Sequence, residues 1–115
     1  KIGWIGERIM YEVTEKDWKI FRKKIIMWQE NYMQKLNNEY IKLLQRENVP
    51  SKNFWDLEKR IIKDKRSVGV VINMRRSTMI QNILELLRDD IIQFDDLNDF
   101  SEELKNEIKL MINRW

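Results

Sequence analysis

Asp89, Asp90, Asp95, Asp96, Asp99, Glu102 and Glu103 are the densest run of groups able to ligate a metal or move a proton in this 115-residue chain. Calcium is held by alternating oxygen donors around a central glycine, closed by a bidentate Glu. The run from Asp89 to Glu103 contains no Gly, and several of its acids stand where helix N-termini would use them. Capping accounts for these carboxylates, so no metal and no cofactor is assigned. Paired carboxylates work as acid and base only where a pocket separates their pKa values, and no spacing here specifies such a pair. The chain has no His and no Cys, which excludes Cys/His zinc sites, haem ligation through His, and Ser-His-Asp or Cys-His catalysis. A nucleotide-binding Gly-rich loop is also missing. The chain is expected not to be an enzyme.

Basic groups fall into three clusters. Lys19, Arg22, Lys23 and Lys24 form the first, Lys59, Arg60, Lys63, Lys65 and Arg66 the second, Arg75 and Arg76 the third. Phosphates are the chemistry such clusters suit, with an affinity that falls steeply in salt. Lys59, Lys63 and Arg66 recur at i, i+4 and i+7 and so share one helical stripe. Against this, Glu15, Glu30, Asp56, Glu58 and Asp64 are interleaved with the bases, and net charge is only +3. Met74-Arg75-Arg76-Ser77-Thr78-Met79 is the best local candidate for anion contact, but no helix-turn-helix, RNP or zinc-finger pattern accompanies it. Solvated helix faces are the simpler account. Nucleic-acid binding through Lys59, Arg60, Lys63, Arg66, Arg75 and Arg76 is the alternative function. The charge is also unevenly placed, since residues 1–88 hold 19 Lys/Arg against 11 Asp/Glu (+8), and residues 89–115 hold 3 against 8 (−5). That layout lets an acidic C-terminal segment dock on a basic body.

Aromatic residues carry the leading reading. Trp18, Trp28, Tyr32 and Tyr40 lie on a helical apolar stripe and are expected in the core. Trp4, Trp55 and Trp115 are less tied to a stripe, and exposed Trp beside Arg or Lys is typical of interface anchors. These three are the candidate partner-binding residues of a non-catalytic protein–protein interaction module, regulatory or inhibitory in role.

The element that must position them is the stretch from Thr14 to Arg46, which has no Gly and no Pro. Trp18, Phe21, Ile25, Trp28, Tyr32, Leu36, Tyr40 and Leu43 follow steps of three and four, the period of one helical face. The predicted helix over about 15–46 is roughly 48 Å long at 1.5 Å per residue. Thr14 with Asp17 resembles a capping box, with Asp in place of Glu. Pro50 disfavours helix at Val49, and Ser51 then caps a second helix, about Lys52 to Lys65, with Phe54, Leu57 and Ile61 on its apolar side. Residues 70–88 are read as a third helix despite the β-branched Val70-Val71-Ile72, because no second strand exists to pair with that run. Asp95 caps a short helix with Leu97 and Phe100, and Ser101 caps a last one over about Glu102 to Asn113. Before Thr14, a short helix from about Glu7 and a frayed arm over residues 1–13 stay open.

From Trp18 to about Met111 the chain resembles a group of small uncharacterised soluble bacterial and mobile-element helical proteins, some of which carry a "multidrug transporter" label. Asn31-Tyr32-Met33-Gln34-Lys35-Leu36, Asn53-Phe54-Trp55-Asp56-Leu57-Glu58-Lys59-Arg60 and Met74-Arg75-Arg76-Ser77-Thr78-Met79 bear the likeness. Phe94-Asp95-Asp96-Leu97 and Phe100-Ser101-Glu102-Glu103-Leu104-Lys105 extend it. The resemblance implies no activity and no functional residues; the mobile-element setting implies a phage-type inhibitor. A transporter label does not fit this chain, whose longest uninterrupted apolar run, Ile25-Ile26-Met27-Trp28, is far too short to span a bilayer.

Residues 1–115 are thus expected to form one all-α domain, a four- to five-helix bundle organised on the long amphipathic helix. A cytoplasmic location suits the lack of Cys. The chain opens on Lys1 without a signal-peptide pattern, and a removed leader stays open. A helix of that length exceeds the compact diameter of a domain this size, whose radius of gyration would be about 13 Å. A homodimer covering part of its stripe is therefore expected.

Overall fold

The structure is a computed structural model and describes residues 11–114. Most of the segment read as an arm or short helix, including Trp4, lies outside the described residues, as does Trp115. Among the described residues all regular structure is helical. The four α-helices are α1 (Glu15–Leu44), α2 (Pro50–Asp64), α3 (Met79–Arg88) and α4 (Glu102–Ile112), with 3-10 turns at Arg76–Thr78 and Phe94–Leu97. No described helix is long and apolar enough to cross a membrane.

The Thr14 hydroxyl accepts a hydrogen bond from the Asp17 N–H at 3.1 Å, so α1 starts where its capping residue predicts. The reciprocal half of the box is not made. The Asp17 carboxylate is fully buried and accepts from the N–H and hydroxyl of Ser101 and from the Tyr11 hydroxyl. α1 stops at Leu44, two residues before Arg46.

The second helix differs at its start. Ser51 does not cap it; α2 opens on Pro50, with Val49 as N-cap and no side-chain cap hydrogen bond. Proline suits this place because its missing N–H would have no helical partner and its φ is already helical.

The expected helix over 70–88 is realised only from Met79 onward, after the Arg76–Thr78 turn. Residues 70–75 are pinned differently. Gln29 Nε2 donates to the Val68 carbonyl at 3.0 Å, and a Cβ at Gly69 would lie 2.3 Å from Cδ2 of Tyr32. The Asn73 carbonyl accepts from Thr78 Oγ1 and Asn82 Nδ2, both at 3.0 Å. The linker thus follows α1 instead of coiling. Further on, Asp95 lies inside the Phe94–Leu97 turn and not at its cap. Gln93 precedes that turn and donates its N–H to the Asp96 carboxylate at 2.7 Å.

Apolar packing is concentrated at one end of the molecule. Phe21 and Ile25 of α1, Met79, Ile83 and Leu86 of α3, and Leu104 and Ile108 of α4 are buried together with Leu97 and Phe100. Trp18 and Trp28 flank Phe21, each with ring centroids 6.2 Å away, and Trp28 reaches Phe100 at 6.4 Å. Beyond Ile25, Leu36 is the one buried residue of α1, and among the described residues α2 and the linker cover that half. The result is a head carrying a two-helix arm, with principal extents of 62 × 26 × 22 Å and a radius of gyration of 18.1 Å. A compact chain of this length would have about 13 Å.

Candidate partner-binding surface

α2 turns its polar stripe toward α1. Asn53, Asp56, Arg60 and Asp64 recur at i, i+3, i+7 and i+11 and so share one side of the helix. Arg60 donates to Glu39 at 2.7 Å and lies 3.3 Å from Asp64, while its guanidinium sits 5.5 Å from the Tyr40 ring centroid. The Tyr40 hydroxyl donates to Asp64 at 2.6 Å. At the hairpin end, Arg46 donates to Asn53 at 2.7 Å and to Asp56 at 2.9 Å, and Asn53 Nδ2 returns a bond to the Arg46 carbonyl at 3.2 Å.

The electrostatics follow from these contacts. Burial, then the hydrogen bond to Asp64, pushes the Tyr40 phenol from 10.0 up to about 12. Hydrogen bonds from Arg46 and Lys52 hold the Asp56 carboxyl below its usual value. The bond to Glu39 raises Arg60 further above an already basic range.

With polar groups spent on α1, the apolar side of α2 points to solvent. Phe54 is 61% exposed, Trp55 56%, Ile61 41% and Ile62 42%. At 100° per residue these four, with half-buried Leu57, occupy an arc of about 160°. Phe54 and Trp55 pack edge to face, ring centroids 4.8 Å apart. A depression of about 430 Å³ runs over Phe54, Leu57, Ile61 and Ile62. Ile61 also lines a groove of about 310 Å³ between α2 and α1, with Met33, Leu36, Tyr40 and Val70. The two meet at Ile61 and make one apolar surface.

Of the aromatic candidates, Trp55 is thus in the open beside a second aromatic, and Trp4 and Trp115 lie outside the described residues. Phe54, read from sequence as part of the apolar side of this helix, is its exposed neighbour. The signal for the direction in which that side points was the polar i, i+3, i+7, i+11 stripe, which matches Glu39, Tyr40 and Arg46 on α1.

The basic candidates divide. Lys59, Lys63, Arg66 and Arg75 are exposed. Arg60 is engaged by Glu39 and Asp64, and Arg76 by Glu15. Glu39 and Glu15 are 24 positions apart on one helix, about 36 Å at 1.5 Å per residue, so Arg60 and Arg76 are held far apart along α1. Among the described residues no three carboxylates come together to hold a metal ion. Comparison with protein families, characterised proteins and solved structures gives no match for this chain.

Proposed function

We propose that the protein is a non-catalytic protein-interaction module, regulatory or inhibitory in the manner of phage-type inhibitors. Its helices are read as a bundle organised on α1, with the head as anchor and α2 as the presenting element. The observation that carries this reading is the outward apolar face of α2 with its paired Phe54 and Trp55. Exposed aromatics cost little entropy to immobilise and supply much of the energy at interface centres. Large contiguous apolar patches on a water-facing helix are uncommon unless something covers them.

The test is capture. Immobilised wild-type protein and its Trp55→Ala variant are each incubated with lysate of the source cells, and retained proteins are identified. Trp55→Ala should remove the specific partners while leaving thermal unfolding within about 0.5 kcal/mol of wild type, as for surface substitutions. Identical retention by both proteins would refute this placement of the site.

A further inference from the structure

We propose that the outer face of α2 is occupied by a second copy of this chain, the two α2 helices crossing antiparallel about a two-fold axis at Ile61 and Ile62, so that they overlap over residues 59–64 and Phe54 and Trp55 meet the partner beyond the end of its α2. The proposal rests on the reading of that face as the interaction surface, and three features select a second copy as its occupant.

Charge comes first. Glu58 and Lys65 lie within the apolar arc, on either side of Ile61 and Ile62 along the helix. They are seven positions apart, so they point within about 20° of each other. An anionic lipid surface would force the Glu58 carboxylate into the layer that takes up Phe54 and Ile61, an unpaired charge in an apolar phase. An antiparallel helix of the same sequence meets it with a cation instead. Placing Ile61 opposite Ile62 of the partner subunit brings Glu58 opposite Lys65 of the partner subunit, and the symmetry repeats the pair. The face is complementary to itself, as an isologous interface must be.

Shape points the same way. The operation that pairs Ile61 with the partner's Ile62 carries Phe54 past the C-terminal end of the partner's α2, to the level of the segment after Asp64. There the groove of about 310 Å³ beside Ile61 opens between α2 and α1. Phe54 lies toward the N-terminal end of α2 and the groove, which Asp64 and Lys65 also line, at its C-terminal end, so an antiparallel copy engages both twice.

Area is sufficient. Taking about 200–250 Å² for a whole aromatic side chain, Phe54 and Trp55 alone offer roughly 250 Å² at their exposures. Ile61, Ile62 and the groove walls add to this, toward the about 800 Å² per partner of a stable interface.

Sedimentation velocity on the full chain, from about 1 to 200 µM, tests the pairing through its dependence on concentration. Wild type should sediment at twice the 14.3 kDa chain mass. Glu58→Lys and Lys65→Glu should each weaken association roughly tenfold or more, because each sets like charges together in two symmetric contacts. The double variant Glu58→Lys/Lys65→Glu should restore it. Circular dichroism of all three should match wild type, since both positions are exposed. A wild-type monomer at the highest concentration, or a double variant that recovers nothing, overturns the pairing. If the wild type is a monomer and Trp55→Ala still abolishes capture of another protein, self-pairing falls and the interaction module stands. If the charge swap rescues the dimer while Trp55→Ala leaves capture unchanged, self-pairing stands and capture through this face falls.

Discussion

Asp17 and Ser101 are 84 positions apart, yet the Asp17 carboxylate accepts from the Ser101 N–H at 3.0 Å and from its hydroxyl at 2.6 Å. The same hydroxyl accepts from the Leu104 N–H at 3.2 Å. One side chain therefore caps α4 and ties it to the first turn of α1. Asp17 is fully buried, and its oxygens are met by these donors and by the Tyr11 hydroxyl. Losing them would leave buried polar atoms without partners.

Asp17→Ala should destabilise the fold by about 2–4 kcal/mol, since hydrogen bonds to charged groups contribute more than neutral ones and their orphaned partners stay buried. Ser101→Ala should cost about 1–2 kcal/mol through the lost cap. Urea unfolding of both variants and their combination checks this. The double variant should lose clearly less than the sum of the singles, because both remove one network. Full additivity would show that the two residues act independently.

Asp90 follows α3 with φ of 57°. Around it the Ile91 N–H donates to the Leu86 carbonyl at 2.9 Å and the Asp90 N–H to that of Leu87 at 3.1 Å, the two bonds of a Schellman ending. Left-handed geometry costs an L-residue about 1–2 kcal/mol and costs glycine nothing comparable. Asp90→Gly should therefore raise stability by about 0.5–1 kcal/mol after the greater freedom of glycine in the unfolded chain is subtracted. A fall in the urea midpoint would contradict this.

Tyr40 should titrate late, beside Asp64. Its phenol moves from 10.0 to about 12, first by burial and then by the bond to Asp64. Folding thus favours the protonated form. The stabilisation is fully present below about pH 10 and is lost as pH rises through 12. Ultraviolet titration of phenolate should show the transition near 12 disappear in Tyr40→Phe and move down toward 10 in Asp64→Asn. An Asp64→Asn curve superimposable on wild type would dissociate Tyr40 from that carboxylate.

Nucleic-acid binding makes a different prediction. A protein making about 6–10 phosphate contacts loses about 10³–10⁵ in affinity between about 50 and 200 mM salt. With Arg60 and Arg76 held by carboxylates and separated along α1, fluorescence anisotropy with duplex DNA, single-stranded DNA and RNA should show weak binding and a shallow salt slope. Tight binding with a steep slope would instead make Lys59, Lys63, Arg66 and Arg75 the functional surface.

Helical existence was legible in the chain because it is a local property. The three- and four-residue steps from Trp18 to Leu43 gave α1, and Thr14 and Ser101 marked the starts of α1 and α4 through bonds to N–H groups three positions on. The exclusion of His and Cys chemistry was equally local, a matter of composition. What covers each face was not. The periodicity of α2 defined an apolar side, but which side meets α1 was decided by Glu39, Tyr40 and Arg46, which bind the polar stripe and turn Phe54 and Trp55 outward. Residues 70–75 had no strand to join, yet they stay out of helix, following Gly69 where it sits close against Tyr32. Asp17 looked like half of a capping box, and its partner lay across the fold. Propensity and capping act over a few residues and can be read in order. Burial and charge pairing depend on groups that only the folded chain brings together, so the tertiary structure alone decided the surface this protein presents.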